Sequence, residues 1–501
     1  MNELESKKLT QDNFERWSKL IDSNEFEKAE IYNKIWIKEN PFNNITWYYY
    51  GYLKHINKEY SLAHDLYLKS LELNPNHILS YENLSTVLIF LNKINKAKEI
   101  IIKGLKVDET STILKMNLGD VLRFNDEIDK SLKIYTDLIN SGIIIDELYN
   151  SISLIYYNQG KFDQSIKYVN KALEINKKEK YFINLAKNQL KLEHFQLSRE
   201  TFEKILSINP SNFDAYNGIY QTYKTENIDH KNGNKFAKKT IQLFPKNIKA
   251  LINLLDSFLR LKKYEKAEDT VKEILNIDKD NTEVAMLSNF LSSQTGKENL
   301  YKFCSSPFRY LKRLHLSDFS KKSNSLIQSF LNISKNYEKI WERTDKTLVN
   351  GYRFSGDIFS SDQKDIVDLK ETIFNAVNHY IDDIKSIGKS EFSEILNQDF
   401  KLRSWSSVLK KDGFHSPHIH AGSILSGVLY IQIDEAKDEK GAIKFSLDGF
   451  NFPKIENNLE EKVLKPVTGD IILFPSCLIH STIPNKSKID RITIAFDLIP
   501  N

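Results

Sequence analysis

A short motif recurs along the first 290 residues at an almost constant spacing. An aromatic or apolar residue is followed, after two positions, by a small residue, as in EFEKAE (25–30) and KYEKAE (263–268). The small residues of the first five units lie about 34 residues apart, at Ala29, Ala63, Ala97, Ser131 and Ser165. Later units place Ser198, Ala237 and Ala267, with a break in spacing at 227–234. A fixed period of this length predicts a stack of similar units, because an ordinary helical bundle has no reason to keep one phase.

The period and the motif resemble the tetratricopeptide repeat (TPR). In the unit 44–77, Trp47 and Gly51 fall on a first helix, Ala63 and Tyr67 fall on a second, and Pro75 ends it. Small residues let paired helices approach closely, and large ones fill the gap to the next pair. The resemblance covers residues 10–290, about eight units, and implies an all-α solenoid with a concave face.

Asparagine recurs fourteen residues before the small residue of four units, at Asn83, Asn117, Asn184 and Asn253. Asparagine is a mediocre helix former, whereas its amide can pair with both the N–H and the C=O of a peptide backbone. This recurrence resembles the asparagine ladder in the solenoid of O-linked N-acetylglucosamine transferase. It implies that the concave face binds an extended protein or peptide. The alternative is that a chain rich in asparagine produces part of the pattern by chance.

Length and charge limit the remaining possibilities. A chain of 501 residues is too long for one core, so several domains are expected. Lys+Arg number 71 and Asp+Glu 67, so the near balance gives no reason to expect nucleic acid or an anionic membrane as a partner. The segment 1–17 has no apolar core of the kind a signal peptide requires, so none is expected, and no apolar run is long enough to span a bilayer. Cys304 and Cys477 are the only cysteines, which argues against a disulfide framework and favours a cytoplasmic protein.

The chain changes character after residue 295. Residues 291–340 read as a linker or helical connection. The segment 362–388 predicts an amphipathic helix that ends at Gly388. Short β-rich runs follow at 404–409, 426–433, 442–447, 470–475 and 491–499, separated by turn residues. Residues 341–501 are therefore predicted to form a double-stranded β-helix, or jelly roll, with supporting helices.

Histidines are concentrated within FHSPHIHAGS (414–423). On an extended backbone, the side chains of His418 and His420 point the same way and can reach one metal ion. A third ligand must come from another strand, and His480 is the candidate. Arg491 opens the last strand, with Thr493 on the same face.

These pieces resemble the iron(II)- and 2-oxoglutarate-dependent oxygenases, in particular a bacterial and phage subfamily. The matching segments are HIHAGSILSGVLY (418–430), GAIKF (441–445), GDIILFPS (469–476), His480 and RITIAF (491–496). The resemblance implies that Fe(II), 2-oxoglutarate and O2 are used, and that His418, His420 and His480 bind the metal and are catalytic. It also implies that Arg491 and Thr493 bind the far carboxylate of 2-oxoglutarate, with Tyr430 as a weaker partner. The prediction is a hydroxylase whose protein or peptide substrate is held by the solenoid.

Several alternatives remain open at this stage. The wider superfamily usually has a carboxylate where His420 stands, so either three histidines bind the metal or a carboxylate such as Asp434 or Asp448 completes the site. His415 is predicted to be a rim histidine, and Trp405 either lines the substrate channel or packs in the core. Two other functions also fit: a three-histidine zinc enzyme, and a non-catalytic TPR scaffold with a degenerate barrel.

Overall fold

The computed structural model describes residues 3–125, 127–337, 339–341, 347–354, 356–435, 438–455 and 459–500, with backbone only at 3–12 and 339–341. Asn501, the last residue of the predicted jelly roll, lies outside them. The chain forms two compact units, Met1–Ile155 and Tyr156–Asn501. We describe each unit by itself.

The first unit consists of helices joined by short turns. In its described part these are α1 (Glu3–Asp22), α2 (Phe26–Glu39), α3 (Asn44–Ile56), α4 (Tyr60–Leu73), α5 (Ile78–Phe90), α6 (Ile94–Val107), α7 (Thr112–Phe124), α8 (Ile128–Asn140) and α9 (Asp146–Asn158), the last of which ends in the second unit. The small residues of the motif, Ala29, Ala63, Ala97 and Ser131, are completely buried. Gly51 faces the ring of Tyr67, where a Cβ would lie 2.9 Å from the ring carbons. Paired helices therefore meet where the motif places small side chains, as predicted.

The second unit continues the same pattern and then changes to β structure. Its helices along this stretch are α10 (Phe162–Ile175), α11 (Glu179–Lys191), α12 (Phe195–Ile208), α13 (Phe213–Glu226), α14 (His230–Leu243), α15 (Ile248–Arg260), α16 (Tyr264–Leu275) and α17 (Thr282–Thr295). Ser165, Ser198, Ala237 and Ala267 are completely buried, like their counterparts in the first unit. The predicted all-α repeat array is thus confirmed. Of the helices that the structure describes, none combines the length and the apolar character that crossing a membrane requires.

The C-terminal part contains two antiparallel sheets. Among the described residues the strands are β1 (Lys312–His315), β2 (Lys339–Trp341), β3 (Leu348–Phe354), β4 (Phe400–His415), β5 (Leu425–Gln432), β6 (Ile443–Ser446), β7 (Glu461–Leu464), β8 (Asp470–Pro475), β9 (Ile479–Thr482) and β10 (Arg491–Pro500). One sheet has the order β1-β8-β5-β10-β4-β3-β2, and the other has the order β7-β6-β9. Apolar side chains from both sheets share a core, including Val428, Phe445, Phe474 and Ala495. This is the predicted jelly roll, which we call the barrel.

Helices support the outside of the larger sheet. They are α18 (Ser323–Ile333), α19 (Lys364–Ile387) and α20 (Glu391–Ile395). The apolar face predicted for α19 is buried at Ile366, Leu369, Ile373 and Tyr380. Gly388 follows the helix with φ of 127°, a conformation that other residues rarely adopt, so the helix ends where it was predicted to end.

The stretch predicted as a connection, 291–340, contributes directly to the barrel. Strand β1 lies within it and pairs with β8, with Lys312 opposite Leu473 and His315 opposite Asp470. Its sequence, KRLH, is short and mostly polar, and such edge strands lack the apolar alternation by which strands are recognised. The limits 10–290, 291–340 and 341–501 stay predictions.

Within the second unit, the last helices of the repeat array pack against the barrel. The hydroxyl of Thr282, at the start of α17, donates to the carbonyl of Ser423 at 2.9 Å. The rings of Phe290 and Phe452 lie 4.9 Å apart, and the hydroxyl of Tyr264 donates to the carbonyl of Pro453 at 3.2 Å. One hydrophobic core therefore runs from these helices into the sheets.

Candidate metal centre and its cavity

Three histidines from two chain segments converge between the sheets. His418 and His420 follow β4, and His480 lies on β9. The backbones of His418 and His480 form a pair of hydrogen bonds to each other, each 3.0 Å long. One nitrogen of each of the three rings lies within 4.8 Å of the others, close enough for all three to bind one metal ion. We call these three residues the histidine cluster.

The second ring nitrogen of each residue in the histidine cluster has an oxygen partner. The Nδ1 of His418 lies 2.8 Å from the carbonyl of Ser416, and that of His480 lies 3.1 Å from the carbonyl of Leu478. The Nδ1 of His420 lies 2.7 Å from a carboxylate oxygen of Asp497. Carbonyls and carboxylates only accept hydrogen bonds, so each Nδ1 carries the proton and each Nε2 keeps its lone pair for a metal.

Asp497 was not identified from the sequence. It lies on β10, is 7% exposed, and also accepts a hydrogen bond of 2.6 Å from the hydroxyl of Ser426. The carboxylates considered from the sequence are elsewhere: Asp448 forms an ion pair with Lys454, and neither it nor Asp434 belongs to the cluster. The only sequence signal for Asp497 is an acid inside the apolar run RITIAFDLI.

Burial keeps two residues of the histidine cluster, His418 and His480, in the neutral form. It lowers the pKa of His418 to about 4, with a further contribution from the neighbouring His420. Burial also lowers the pKa of His480 well below its usual value, and the nearby histidines add to the effect. Neutral imidazole is the form that binds metals, so His418 and His480 are ready to act as ligands at neutral pH.

The histidine cluster lies in the wall of a cavity of about 230 Å³ between the two sheets. Arg491 and Thr493 line the same cavity, so the structure brings together the residues predicted for the metal and those predicted for the co-substrate. Trp405 also lines it, with its ring centroid 5.4 Å from that of His420, and it packs against the core between the sheets, so it occupies both predicted positions.

The guanidinium of Arg491 is held firmly at the cavity wall. Arg491 is 2% exposed; its Nε donates to the carbonyl of Gly441 at 3.0 Å and one terminal nitrogen donates to the hydroxyl of Tyr430 at 3.2 Å. Tyr430 is completely buried and absent from the cavity wall, so it orients Arg491 from behind. Thr493 aims its hydroxyl weakly at the carbonyl of Ser407, at 3.4 Å.

Two further residues of the cavity wall were not predicted as ligand-binding residues. His415, predicted to be a rim histidine, is partly buried and lines the cavity, and its Nδ1 is shielded from solvent. Burial lowers its pKa well below the usual value, and the charges of His418, Arg491, His420 and Arg353 lower it further. Arg353, on β3, also lines the cavity. Its segment carries no motif that would have indicated this position.

The asparagines of the first unit have partners within their own unit. The amide of Asn83 donates to the hydroxyl of Tyr48 at 3.0 Å. The amide of Asn117 donates to the hydroxyls of Ser85 at 2.8 Å and Thr86 at 2.9 Å. Both residues are partly buried. These contacts involve the amide N–H groups of the two side chains. Their role as part of a peptide-binding ladder stays a prediction.

The asparagines of the second unit differ from each other in burial. Asn253 is 2% exposed; its amide donates to Asn217 at 2.8 Å, and its oxygen accepts from Gln221 at 3.2 Å. Asn184 is partly buried on α11. Its backbone carbonyl accepts a hydrogen bond from the side-chain amide of Asn188 at 2.8 Å. A bound peptide would have to displace both partners of Asn253. Peptide binding at this position would therefore cost the free energy of these two hydrogen bonds.

Models of known protein families match segments in both the N-terminal and the C-terminal part of the chain. Residues 403–497 match the family model described as "Putative 2OG-Fe(II) oxygenase". Tetratricopeptide repeat models match residues 66–99, 146–179, 179–212 and 229–289. No significant match was found among curated proteins.

Several solved structures are similar to part of the chain. The APC/C hetero-tetramer Cut9-Hcn1 matches with 15% identity and a TM-score of 0.43 over 48% of this chain and 48% of that chain. A tetratricopeptide repeat protein from Parabacteroides merdae matches with 14% identity and a TM-score of 0.37, over 43% of this chain and 85% of that one. The pilF protein of Pseudomonas aeruginosa matches with 16% identity and a TM-score of 0.35, over 41% and 93%. This chain thus spans about half the length of the Cut9-Hcn1 chain that it matches.

The chain therefore carries tetratricopeptide repeats in its N-terminal part and, in its C-terminal part, a domain that matches the 2OG-Fe(II) oxygenase model.

Proposed function

We propose that the barrel is a hydroxylase that uses Fe(II), O2 and 2-oxoglutarate. One observation carries this proposal: the histidine cluster and the buried guanidinium of Arg491 share one small cavity. The overall reaction converts 2-oxoglutarate, O2 and a C–H bond of the substrate into succinate, CO2 and a C–OH group. One oxygen atom of O2 enters succinate and the other enters the product.

The donor set of the histidine cluster fits Fe(II). Three imidazoles converge on one point, and imidazole is a ligand that suits iron as well as zinc. When bound, Fe(II) supplies the binding and activation of O2 beside the keto acid. The chain's own contribution is to hold the three Nε2 atoms in place through Ser416, Leu478 and Asp497.

Arg491 is suited to bind the far carboxylate of 2-oxoglutarate. A buried cation is costly unless an anion compensates it, and within the described part of the chain no ion pair is formed by Arg491. A carboxylate entering the cavity would supply that missing charge through a charge-assisted hydrogen bond. Thr493 adds a hydroxyl donor nearby, and Tyr430 fixes the direction of the guanidinium.

The same observation weighs against the two alternatives. A zinc enzyme that activates water needs three ligands and an open position, but it does not need a buried guanidinium at the far side of the cavity. A degenerate barrel would not be expected to keep three histidines with their Nδ1 partners and a positioned Arg491. The oxygenase is therefore the function that uses all of these groups.

Spectroscopy under anaerobic conditions tests the proposal. We expect Fe(II) and 2-oxoglutarate together to produce a visible charge-transfer band. Arg491→Met should weaken 2-oxoglutarate binding about 100-fold, because it removes a buried charge-assisted contact, and Arg491→Lys should retain part of the binding. Arg309→Gln is the matched control, since Arg309 is exposed and lies outside this cavity. Absence of this band in the wild-type protein would contradict the proposed oxygenase function.

We further infer that the substrate is a protein or peptide bound through the repeats. Tetratricopeptide repeats are protein-interaction modules, and in the second unit α17 contacts Ser423, three residues after His420. Incubation with a cell extract, 2-oxoglutarate and ¹⁸O2 should place label in proteins. Label found only in small metabolites would contradict this inference while leaving the hydroxylase proposal intact. Asn83→Ala and Asn117→Ala should lower protein labelling without changing the Fe(II) band.

A further inference from the structure

Thr482 is a residue of the cavity wall that the sequence did not single out. It lies on β9, two residues after His480, and alternate residues of a strand face the same side of a sheet. The side chains of His480 and Thr482 are both buried and both line the cavity, whereas Ser481 between them is partly exposed. Because a strand rises about 3.3 Å per residue, Thr482 lies about 7 Å further along the cavity wall than His480.

The hydroxyl of Thr482 is available to a ligand. In the described part of the chain it pairs with no other group, and its oxygen is not sealed off by protein atoms. By contrast, the hydroxyl of Ser407 lies 2.8 Å from the Nε2 of His415, and that of Thr493 points at the carbonyl of Ser407 at 3.4 Å. Thr482 is only 7% exposed and lines the cavity, so the accessible part of its side chain faces the cavity.

The backbone next to Thr482 also holds Arg491 in place. The carbonyl of Ile483 accepts a hydrogen bond from the N–H of Gly441 at 3.1 Å, and the carbonyl of Gly441 accepts from the Nε of Arg491 at 3.0 Å. The N–H of Ile483 donates to the carbonyl of Ala442 at 2.9 Å, so this stretch of β9 is paired on both of its polar groups. Thr482 is therefore the direct neighbour of the backbone that orients the guanidinium, and it approaches the same end of the cavity from the smaller sheet.

A carboxylate at this end of the cavity can use both residues. Its two oxygens together accept about four hydrogen bonds, which is more than the guanidinium of Arg491 can supply while it also donates to Gly441 and Tyr430. A threonine hydroxyl donates one hydrogen bond, and a hydrogen bond from a hydroxyl to a carboxylate is among the short and strong ones. Thr482 thus offers the donor that a carboxylate bound to Arg491 still lacks on the side of the smaller sheet.

We propose that Thr482 is a further binding residue for the co-substrate, and that its hydroxyl donates to the far carboxylate of 2-oxoglutarate together with Arg491. This proposal rests on the proposed hydroxylase function and deepens it, because it names a residue that selects 2-oxo acids with a second carboxylate. The far carboxylate is held from both sheets at once. The other end of the molecule, with its keto group, is thereby kept directed at the histidine cluster.

Two 2-oxo acids of equal chain length test the proposal. The full chain is loaded anaerobically with Fe(II) and titrated with 2-oxoglutarate or with 2-oxopentanoate, which has a methyl group in place of the far carboxylate. The charge-transfer band reports binding of each acid. Thr482→Val keeps the shape of the side chain and removes the hydroxyl. We expect this variant to bind 2-oxoglutarate about tenfold more weakly and 2-oxopentanoate within about twofold of wild type, because only the former reaches the hydroxyl with a charged oxygen.

Further variants separate this role from a merely structural one. Thr482→Ser keeps a hydroxyl and should recover most of the affinity for 2-oxoglutarate. Combined with Arg491→Met, Thr482→Val should cost less than it costs alone, because the two residues bind the same carboxylate. The affinity of Thr482→Val for Fe(II), measured by competition with a chromophoric chelator, should equal that of wild type. Thr468→Val is the matched control, since Thr468 belongs to the barrel and lies outside the cavity.

Three outcomes would overturn the proposal. Unchanged binding of 2-oxoglutarate by Thr482→Val would show that the hydroxyl makes no contact with it. Equal losses for the two acids would show that the substitution acts on the metal-binding end or on the fold of β9, and not on the far carboxylate. Absence of the band in the wild-type protein would overturn the hydroxylase proposal first, and the role of Thr482 with it; the wild-type band is therefore recorded before any variant is compared.

Discussion

Replacement of Asp497 tests the proposed role of His420 as a metal ligand. In the structure a single carboxylate oxygen of Asp497 binds both the Nδ1 of His420, at 2.7 Å, and the hydroxyl of Ser426, at 2.6 Å. These contacts occupy the Nδ1 side of the ring, so its Nε2 stays available to a metal ion, and they place a carboxylate behind the ring. The histidine cluster itself contains no carboxylate, and Asp497 places a negative charge directly behind one of its members.

The expected magnitude follows from these contacts. Loss of a group that orients a metal-binding histidine typically costs about 10–100-fold in metal affinity, or about 1.4–2.7 kcal/mol. Asp497→Asn keeps an acceptor of the same shape and loses only the charge, so we expect about a tenfold loss. Asp497→Ala also leaves the Nδ1–H of His420 and the hydroxyl of Ser426 without this acceptor in a buried position. We expect about a 100-fold loss for that variant.

Competition with a chromophoric chelator, using Fe(II) anaerobically and Co(II) in air, measures the affinity directly. Asp448→Asn is the matched control, because Asp448 is a barrel carboxylate outside the histidine cluster. Thermal unfolding of each metal-free variant establishes that folding is preserved. If Asp497→Ala binds metal within twofold of wild type, the orienting role of Asp497 is refuted. If Asp448→Asn loses affinity instead, a carboxylate ligand from that position is favoured.

Two further predictions concern stability. The side-chain hydrogen bond from Lys54 lowers the pKa of Glu30 from 4.5 to about 2, so this interaction stabilises the fold above pH 4.5 and is lost as the pH falls towards 2. Glu30→Gln should therefore lower the free energy of unfolding by about 1–2 kcal/mol at pH 7 and by much less near pH 2, as measured by urea denaturation; an equal effect at both pH values would contradict the assignment. In Gly218→Ala the new methyl group would overlap the ring of Phe202, so we expect a net loss of about 1–2 kcal/mol despite the better helix propensity of alanine, and partial recovery in the double variant with Phe202→Leu.

Periodic features of this chain could be predicted well from its sequence. The repeat phase follows from small residues that must be buried between helices, and each of them is buried. The strands around 426–433 and 470–475 follow from apolar runs between turn residues, and β5 and β8 occupy nearly these ranges. The histidine cluster could also be anticipated, because two residues at alternate positions on an extended segment face the same side.

The features that could not be predicted from the sequence depend on contacts between distant segments. Asp497 reaches His420 because β10 is aligned with β5 so that Asp497 lies opposite Ser426, and no local pattern encodes this register. Arg353 enters the cavity wall because β3 pairs with β4, but its segment, LVNGYRF, does not reveal which face is inward. Strand β1 could not be predicted because it is a short edge strand with mostly charged or polar residues.

The paired backbone hydrogen bonds between His418 and His480 bear on how the proposed metal site would be loaded. These bonds join the two chain segments through main-chain atoms alone, so the metal ion is not needed to bring them together. In small zinc-binding domains the ion organises the chain, and chelators unfold them. Here the sheet itself sets the binding geometry, so removal of the ion should leave a folded protein that can be reloaded with different metals. The affinity for each metal would then depend on how well it fits a fixed arrangement of three nitrogens.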